Sequence, residues 1–261
     1  MIKNFKAEII SNKEINQGIF NLIFKAPELA AATVPGQFLE IMCGTDGAGN
    51  GPFLRRPFGV YNTDIKKGTA EILFKVLGQG TKNLSARKAG EILDIVGPLG
   101  NGFKIVEANH PVIAGGGMGV APLLLLVKVL RDKKQKPIIF LGAKNKDELA
   151  AVEKFEKYGK VILTTDDGSA GEKCFLNIPL EKYLEENKNS VIYCCGPHAM
   201  LKCLAELGKK YKVPVQVSLE EKMACGLGVC RGCPVEVKNK DEKYKMVCKD
   251  GPVFPAEDVV W

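Results

Sequence analysis

Over the first hundred residues, apolar, β-branched and aromatic positions recur in short runs, at 5–10, 19–24, 38–42, 70–77 and 92–96. Glycine and proline punctuate between the runs, at Pro35 and Gly36, over 47–51, and at Gly97 and Pro98. Short strands with turn signals and little helical periodicity predict an antiparallel barrel or sandwich. The pattern changes near His110. A short apolar run over 111–114 ends in glycines and leads into a helix-like stretch over 120–131. Strands over 137–142, 161–165, 191–195 and 213–217 then share the segment with helices over 147–157 and 197–209. Strands alternating with helices predict βαβ units and a parallel sheet covered on both faces. From about Ser218 the alternation stops. Three segments result: a β-rich domain over 1–105, an α/β domain over 106–217 and a small cysteine-rich domain over 218–261.

A chain of 261 residues suits two domains and a short appendage. An apolar fraction of 46% with 26% charged residues is ordinary for globular proteins and excludes a disordered chain. The first ten residues hold no basic region followed by an apolar run, so no secretory signal is expected. The most apolar stretch, 120–130, is interrupted by Lys128 and is too short to span a bilayer. A cytoplasmic protein without a membrane span is expected. The net charge of +7 resides in scattered lysines, such as the pairs at 133–134 and 209–210, with acids between them. No aromatic residues interleave with a basic stripe, so these lysines read as solvated surface and no nucleic-acid partner is expected. Nine cysteines without a secretion signal point to thiol or metal chemistry rather than a disulfide scaffold. Four of them (Cys225, Cys230, Cys233 and Cys248) fall in the tail.

The chemistry-bearing motifs lie at element junctions. Gly115, Gly116, Gly117 and Gly119 sit where the first strand of the α/β segment meets its first helix. Glycines there let the backbone turn sharply and approach a pyrophosphate at a helix N-terminus. The spacing is not G-x-G-x-x-G, and a plain strand-to-helix turn stays open as the alternative. Cys195-Gly196-Pro197 follows another strand and opens another helix, with proline in a first turn that needs no N–H there. Both loops fall at the carboxyl ends of strands, where open α/β sheets bind ligands. In the β-rich half, Arg55-Arg56-Pro57-Phe58-Gly59-Val60 fits an anion held against an aromatic-sized ligand. Leu73-Phe74-Lys75 ends a strand shortly before Gly78-Gln79-Gly80-Thr81, a second possible phosphate cradle of backbone N–H groups and one hydroxyl. In the tail, Cys225-x4-Cys230-x2-Cys233, with fourteen residues before Cys248, matches the opening spacing of plant-type [2Fe–2S] sites. Gly226, Gly228 and Gly232 allow a loop to wrap the cluster, and a four-cysteine structural zinc site stays open as the alternative. Cys43, Cys174, Cys194, Cys195 and Cys203 include small buried hydrophobes.

Taken together these residues resemble the ferredoxin-reductase superfamily over 1–217. Arg56-Pro57-Phe58-Gly59 looks like its flavin motif R-x-[YF]-[ST], Gly80-Thr81 like its FAD-pyrophosphate turn, the loop at 115–122 like its nicotinamide-nucleotide loop, and Cys195-Gly196-Pro197 like its C-G-P element. The family usually has Ser or Thr where Gly59 stands, with a hydroxyl that contacts flavin N5; a backbone N–H substitutes here, or the contact is absent. The tail is about half the length of a ferredoxin domain fused in oxygenase reductases. Its segments 220–226 and 247–254 resemble the cluster signatures of electron-transfer subunits of NAD-linked, type B dihydroorotate dehydrogenases. The resemblance then covers the whole chain.

It implies an antiparallel β-barrel that binds FAD, a parallel α/β domain that binds NAD and a small [2Fe–2S] domain. By the same resemblance Arg56 pairs with FAD phosphate, the Phe58–Gly59 backbone lies along the isoalloxazine with Pro57 also binding the cofactor, and Leu73, Phe74 and Lys75 line the flavin. Gly80 and Thr81 hold its pyrophosphate. Gly115, Gly116, Gly117 and Gly119 hold the NAD pyrophosphate, and Cys195, with Gly196 and Pro197, sits near the nicotinamide. Cys225, Cys230, Cys233 and Cys248 ligate iron. The implied partner is an FMN-containing catalytic subunit that oxidises dihydroorotate in pyrimidine synthesis, two of each chain per complex. Electrons would run from its flavin through the cluster and FAD to NAD⁺, and no dihydroorotate site is assigned to this chain. Asp166 and Asp167, after a strand, favour NAD over NADP, while Lys144 and Lys146 oppose that. Trp261 either covers the flavin or packs on its own small domain. Rival readings are a subunit of a ferredoxin–NADP transhydrogenase or sulfhydrogenase, and a non-enzymatic nucleotide-binding module with a zinc tail.

Overall fold

The fold is taken from a computed structural model that describes residues 2–44, 52–239 and 241–261. Six strands, β1 (Lys3–Asn16), β2 (Ile19–Lys25), β3 (Phe38–Ile41), β4 (Arg56–Asp64), β5 (Thr69–Lys75) and β6 (Ile92–Leu99), close into a barrel in the order β1-β2-β5-β4-β3-β6. Neighbours pair antiparallel around the ring. A barrel, and not a sandwich, is therefore the outcome; closure leaves no open sheet edge. Alternation along each strand sends Ile9, Leu22, Leu39, Ile41, Val60, Ile72 and Ile95 into one interior core. Helix α1 (Pro27–Ala32), which the pattern did not announce, buries Leu29 and Ala30 in that core. Helix α2 (Gln79–Ser85) follows β5 at the barrel mouth. The glycine-rich turn expected at 47–51 lies outside the described residues.

The second half runs β7 (His110–Gly116), α3 (Leu123–Asp132), β8 (Ile138–Ala143), α4 (Val152–Glu156), β9 (Lys160–Thr165), β10 (Glu172–Lys173), α5 (Asn177–Glu186), β11 (Ser190–Cys195), α6 (His198–Tyr211) and β12 (Val215–Ser218). The sheet order is β10-β9-β8-β7-β11-β12, all parallel. From β7 the chain winds outward to β10 on one side and then returns to β11 and β12 on the other. The winding direction thus reverses at β7, and the crevice outside the carboxyl ends of β7 and β11 is the topological switch point, where such sheets take ligands.

Two local expectations are corrected. The helix expected over 147–157 is broken into a 3-10 turn (Lys146–Glu148) and α4, with Ala151 between them at a left-handed φ of 56°. Asn145 caps the turn by accepting the N–H groups of Asp147 and Glu148, each at 3.1 Å, so the local chain closes on itself before α4 begins. Helix α5 was not expected. Its Leu180 and Leu184 lie one turn apart on the buried face, and Pro179 falls in the first turn, where proline is tolerated.

The tail forms a hairpin of β13 (Pro234–Glu236) and β14 (Tyr244–Met246), then β15 (Val253–Pro255) pairs antiparallel with β12 as the last strand of the α/β sheet. Its Cys233, Val247, Cys248, Phe254 and Val259 share one core with Ile192, Leu204 and Val217 of the α/β half. Among the described residues no helix is long and apolar enough to cross a membrane.

Candidate functional site

A cavity of about 810 Å³ opens where barrel, α/β sheet and tail meet, within the range of small-molecule and cofactor sites. The barrel contributes Arg56, Pro57, Phe58 and Gly59 from β4, Leu73, Phe74 and Lys75 from β5, and Gly80 and Thr81 from α2. The α/β half contributes Cys195 and, beside the start of α3, Met118, Ala121 and Pro122. Ser218 at the end of β12 and Leu219, Glu220, Glu221 and Met223 of the tail close the third side. Phe58 and Phe74 meet edge to face at 5.8 Å, and Phe20 stacks on Phe74 at 5.6 Å, so an aromatic wall is held from behind.

Successive side chains of a strand point to opposite faces, which separates the two arginines. Arg55 is tied to Asp94, by Nη2 to Oδ1 at 2.8 Å and by Nη1 to the backbone carbonyl at 2.7 Å. Arg56 donates only to the carbonyls of Leu54 (2.9 Å) and Arg55 (3.0 Å), and among the described residues its guanidinium meets no carboxylate. A guanidinium with no carboxylate in contact, in the cavity wall, is a handle for an anionic group. Two other expected groups are already engaged. The Lys75 ammonium pairs with Glu148 at 2.8 Å across the seam between barrel and α/β half. The Thr81 hydroxyl accepts the N–H groups of Leu77 (2.9 Å) and Gly78 (3.1 Å), so it builds its own turn. An FAD-sized ligand fits this cavity in volume, in its apolar and aromatic walls and in the free charge of Arg56.

Gly115 and Cys195 are register partners on β7 and β11, so the two glycine loops emerge side by side. A Cβ on Gly119 would fall 2.5 Å from the Gly196 nitrogen, and one on Gly116 would fall 2.8 Å from Pro197 Cδ. The loops touch through backbone that no side chain could share. Gly115, Gly116, Gly117, Gly119, Gly196 and Pro197 lie beside the cavity without lining it, while Cys195 lies in its wall. Burial pushes the Cys195 thiol well above its ordinary pKa, with Ser218 countering in part, so the sulfur facing the cavity is a neutral thiol. At the end of β9, Asp167 accepts the backbone N–H (2.9 Å) and hydroxyl (2.6 Å) of Ser169, whose oxygen accepts the N–H of Lys146 (2.8 Å). The acidic and basic loops thus form one rim.

In the tail, backbone N–H groups point at all four expected sulfurs. Cys225 Sγ accepts from Leu227 (3.3 Å) and Cys230 (3.5 Å), Cys230 Sγ from Gly232 (3.4 Å), Cys233 Sγ from Cys248 (3.5 Å) and Cys248 Sγ from Gly228 (3.1 Å). Burial disfavours the Cys225 thiolate, but the N–H groups of Cys230 and Leu227 outweigh it and bring the pKa down to about 6. The N–H donors suit anionic sulfur, the form that binds metal, although burial and the adjacent Cys233 push the Cys248 thiol up to about 12. The sulfurs fall into two pairs, Cys225 with Cys230 toward the surface and Cys233 with Cys248 in the interior. Among the described residues no three His, Cys, Asp or Glu side chains converge as a single ion requires. The spacing of the four cysteines and the backbone N–H groups aimed at their sulfurs fit a [2Fe–2S] centre.

Glu220, Glu221 and Met223 belong by sequence to the cluster signature, yet they line the flavin-sized cavity. Only their place just after β12, at the ligand end of the sheet, could have shown this. Trp261 donates its indole N–H to the Ala256 carbonyl at 2.9 Å, and its ring lies 5.3 Å from that of His198 on α6. It does not line this cavity.

A closed antiparallel barrel, an α/β sheet with glycine loops at its switch point and a cavity at their seam define a ferredoxin-reductase-like oxidoreductase. The family model described as the iron-sulfur cluster binding domain of dihydroorotate dehydrogenase B matches residues 220–260, and that of the oxidoreductase NAD-binding domain matches residues 113–206. The chain is 46% identical over 261 residues to the electron transfer subunit of dihydroorotate dehydrogenase B (NAD(+)) of Caldanaerobacter subterraneus subsp. tengcongensis, with 98% of each chain covered. It is 36% identical to the subunit of the same name from Desulforamulus reducens, with 100% of each covered. Among solved structures, it superposes with TM-score 0.86 and 33% identity on a chain of an NADH-dependent reduced ferredoxin–NADP oxidoreductase, covering 98% of this chain and 90% of that one. The ferredoxin reductase of carbazole 1,9a-dioxygenase shares the fold, with TM-score 0.70 and 20% identity over 83% of this chain and 69% of that one. The chain belongs to the family of dihydroorotate dehydrogenase B (NAD⁺) electron-transfer subunits.

Proposed function

We propose that this chain takes electrons from the FMN of a dihydroorotate dehydrogenase catalytic subunit and passes them through a [2Fe–2S] cluster and FAD to NAD⁺, in pyrimidine biosynthesis. One observation carries the reading: a single cavity is walled by the Arg56–Gly59 segment, by Cys195 beside the nucleotide crevice, and by Glu220–Met223 leading into the cysteine loop. A bound flavin supplies the ability to exchange single electrons with iron–sulfur centres and a hydride with nicotinamide.

The chain's own residues supply binding and exclusion of water. Arg56 would meet a phosphate with a guanidinium that, among the described residues, contacts no carboxylate. The Phe58–Gly59 backbone, backed by Phe74, presents a flat apolar surface for the ring, with Leu73 and Lys75 along its edge, while Gly80 and Thr81 bring backbone to the pyrophosphate. Gly115, Gly116, Gly117 and Gly119 admit the dinucleotide backbone where β7 ends, and Gly196 and Pro197 face it from β11. The neutral Cys195 thiol packs at the nicotinamide end. Cys225, Cys230, Cys233 and Cys248 would hold the cluster, the first two from the surface side and the last two from the interior. The domain division is 1–105, 106–217 and 218–261, the complex holds two copies of each chain, and the setting is the cytoplasm. Dihydroorotate binds on the partner, and NAD is preferred to NADP.

The test is anaerobic co-purification with the catalytic subunit, followed by flavin, iron and sulfide analysis and an assay of dihydroorotate-dependent NAD⁺ reduction. One FAD and about two irons per chain, with activity only in the complex, are expected; a colourless chain that binds zinc sinks the reading. A transhydrogenase subunit is the rival reading and is not favoured, since the chain is 33% identical to the ferredoxin–NADP oxidoreductase chain against 46% and 36% to the two dihydroorotate dehydrogenase B subunits. Reduction of NADP⁺ by ferredoxin without any dihydroorotate-linked activity would select it.

A further inference from the structure

Outside the groups already assigned, the acidic side chain of Glu40 is out of keeping with its surroundings. Glu40 of β3 is 1% exposed, and among the described residues neither carboxyl oxygen has a hydrogen-bond partner. On β3, Leu39 and Ile41 point into the barrel core, whereas Phe38 packs into the core shared by tail and sheet. Glu40 lies on that same outer face, beneath the cysteine loop. A Cβ on Gly226 would fall 2.6 Å from Glu40 Cγ and 2.8 Å from Oε1, and Gly226 adopts a left-handed φ of 66°. The loop therefore passes over the carboxyl with bare backbone, one residue from Cys225. On the other side Glu40 is the ladder partner of Pro57, a wall residue of the flavin-sized cavity.

The charged groups that face Glu40 are Arg55 and Arg56 from the β4 side and Cys225 from the loop. Both guanidinium groups donate elsewhere, Arg55 to Asp94 and Arg56 to backbone carbonyls. Burial pushes the Glu40 carboxyl up to about 7, with Arg55 and Arg56 drawing it down and Cys225 adding to the rise. A buried polar group without partners is costly to keep. Glu40 lies between the cysteine loop and the wall of the flavin-sized cavity.

We propose that Glu40 is a positioning residue that sets the reduction potential of the cluster, holding it lower than an uncharged side chain would. Reduction adds one electron to the cluster, supplied by the partner's flavin, with no bond made or broken and no proton required. That electron adds negative charge beside a carboxylate in a low-dielectric interface, where like charges repel strongly. Groups beyond the ligands, together with burial, tune cluster potentials in this way. A lower potential at the cluster favours passage of the electron onward to the flavin.

The inference rests on the cluster assignment, and its test separates the two. The complex with its catalytic subunit is titrated redox-potentiometrically at pH 9, with the cluster followed by EPR, for wild type, E40Q, E40M and E40D. In neutral variants that keep about two irons per chain, the midpoint is expected to rise by at least tenfold in the reduction equilibrium, about 59 mV for one electron. E40D is expected to stay nearer the wild type, and the FAD midpoint to move less than the cluster's. A neutral variant with full iron content and an unshifted midpoint overturns the proposal. So does loss of iron from both neutral variants, which would make Glu40 a structural support of the loop. Wild-type protein without iron and sulfide would instead overturn the cluster assignment itself.

Discussion

Val253 of the cysteine-rich tail is the ladder partner of Ser218, the last residue of β12. The tail therefore completes the α/β sheet from its edge, and Ser218, at the join, also lies in the wall of the flavin-sized cavity. Cluster loop, nucleotide sheet and cavity are mechanically one unit.

Phe254, the next residue of β15, tests that unity. It is 3% exposed in the core shared with Leu204 and Val217. F254A should cost about 3–5 kcal/mol, as burial of the ring is lost and a cavity is left. Thermal unfolding of the apo chain should show the α/β half and the tail shifting together. Two separated transitions, with only one of them shifted, would contradict a shared core.

The cysteines divide by what their sulfurs face. C225S, C230S, C233S and C248S should each lose most of the iron and sulfide and the broad visible absorption of the cluster. C174S and C203S, at half-buried positions away from the N–H array, should keep them. FAD content should be unchanged throughout, because none of the four cluster cysteines lines the flavin-sized cavity. Iron retention in C233S would exclude that residue as a ligand.

G119A introduces a Cβ 2.5 Å from the Gly196 nitrogen, a backbone atom fixed between β11 and α6. The loop at the end of β7 must move to accommodate it. NADH affinity, read as KM in a reductase assay with an artificial acceptor, should weaken about tenfold or more, a change worth about 1.4 kcal/mol. Flavin content should hold. An unchanged KM would place the dinucleotide elsewhere.

The parts of this architecture that were legible in sequence are those written in local pattern. Alternation over β1, β2 and β5, the glycine loop after β7 and the cysteine spacing each follow from neighbours in the chain. What was not legible depends on residues distant in sequence. Glu40 reads as an ordinary strand acid until Gly226 is laid over it. Thr81 reads as a phosphate ligand until its hydroxyl is seen capping Leu77 and Gly78. Helix α5 was missed although Leu180 and Leu184 have helical spacing, because Pro179 and the flanking polar residues resemble a loop. The broken helix before α4 depends on Asn145 and the tie of Glu148 to Lys75, which only the meeting of barrel and sheet creates.

Asp94 gives the fold a defined response to acid. Burial alone would raise its pKa, but hydrogen bonds from Arg55 and Lys6 outweigh that and hold the carboxyl below its usual value of 3.8. A carboxyl lowered in the folded state adds stability above its unfolded value, and that stability fades as pH falls through the folded value. D94N should therefore be less stable than the wild type to urea at pH 7. The gap should narrow as pH drops below 3.8. A gap independent of pH would mean that Asp94 acts through packing rather than charge.

Gly59 faces Pro122, across the seam between β4 and the start of α3. A Cβ placed on Gly59 would lie 3.4 Å from Pro122 Cβ and 3.6 Å from Cδ, an ordinary contact distance. Alanine or serine at 59 should therefore fold with little loss, and serine would restore the hydroxyl that related flavin motifs carry. Valine is different. Its two γ-methyl groups extend past the Cβ and are stiff at χ1, so at least one is driven toward the proline ring or into the cavity. G59V should widen the seam and lower the FAD-to-protein ratio of the purified chain, while G59S keeps it. The cluster absorption should persist in both, since the cysteine loop does not touch this contact. Equal flavin retention in G59V and G59S would show that the seam yields without cost, and that the flavin does not depend on the approach of β4 to α3.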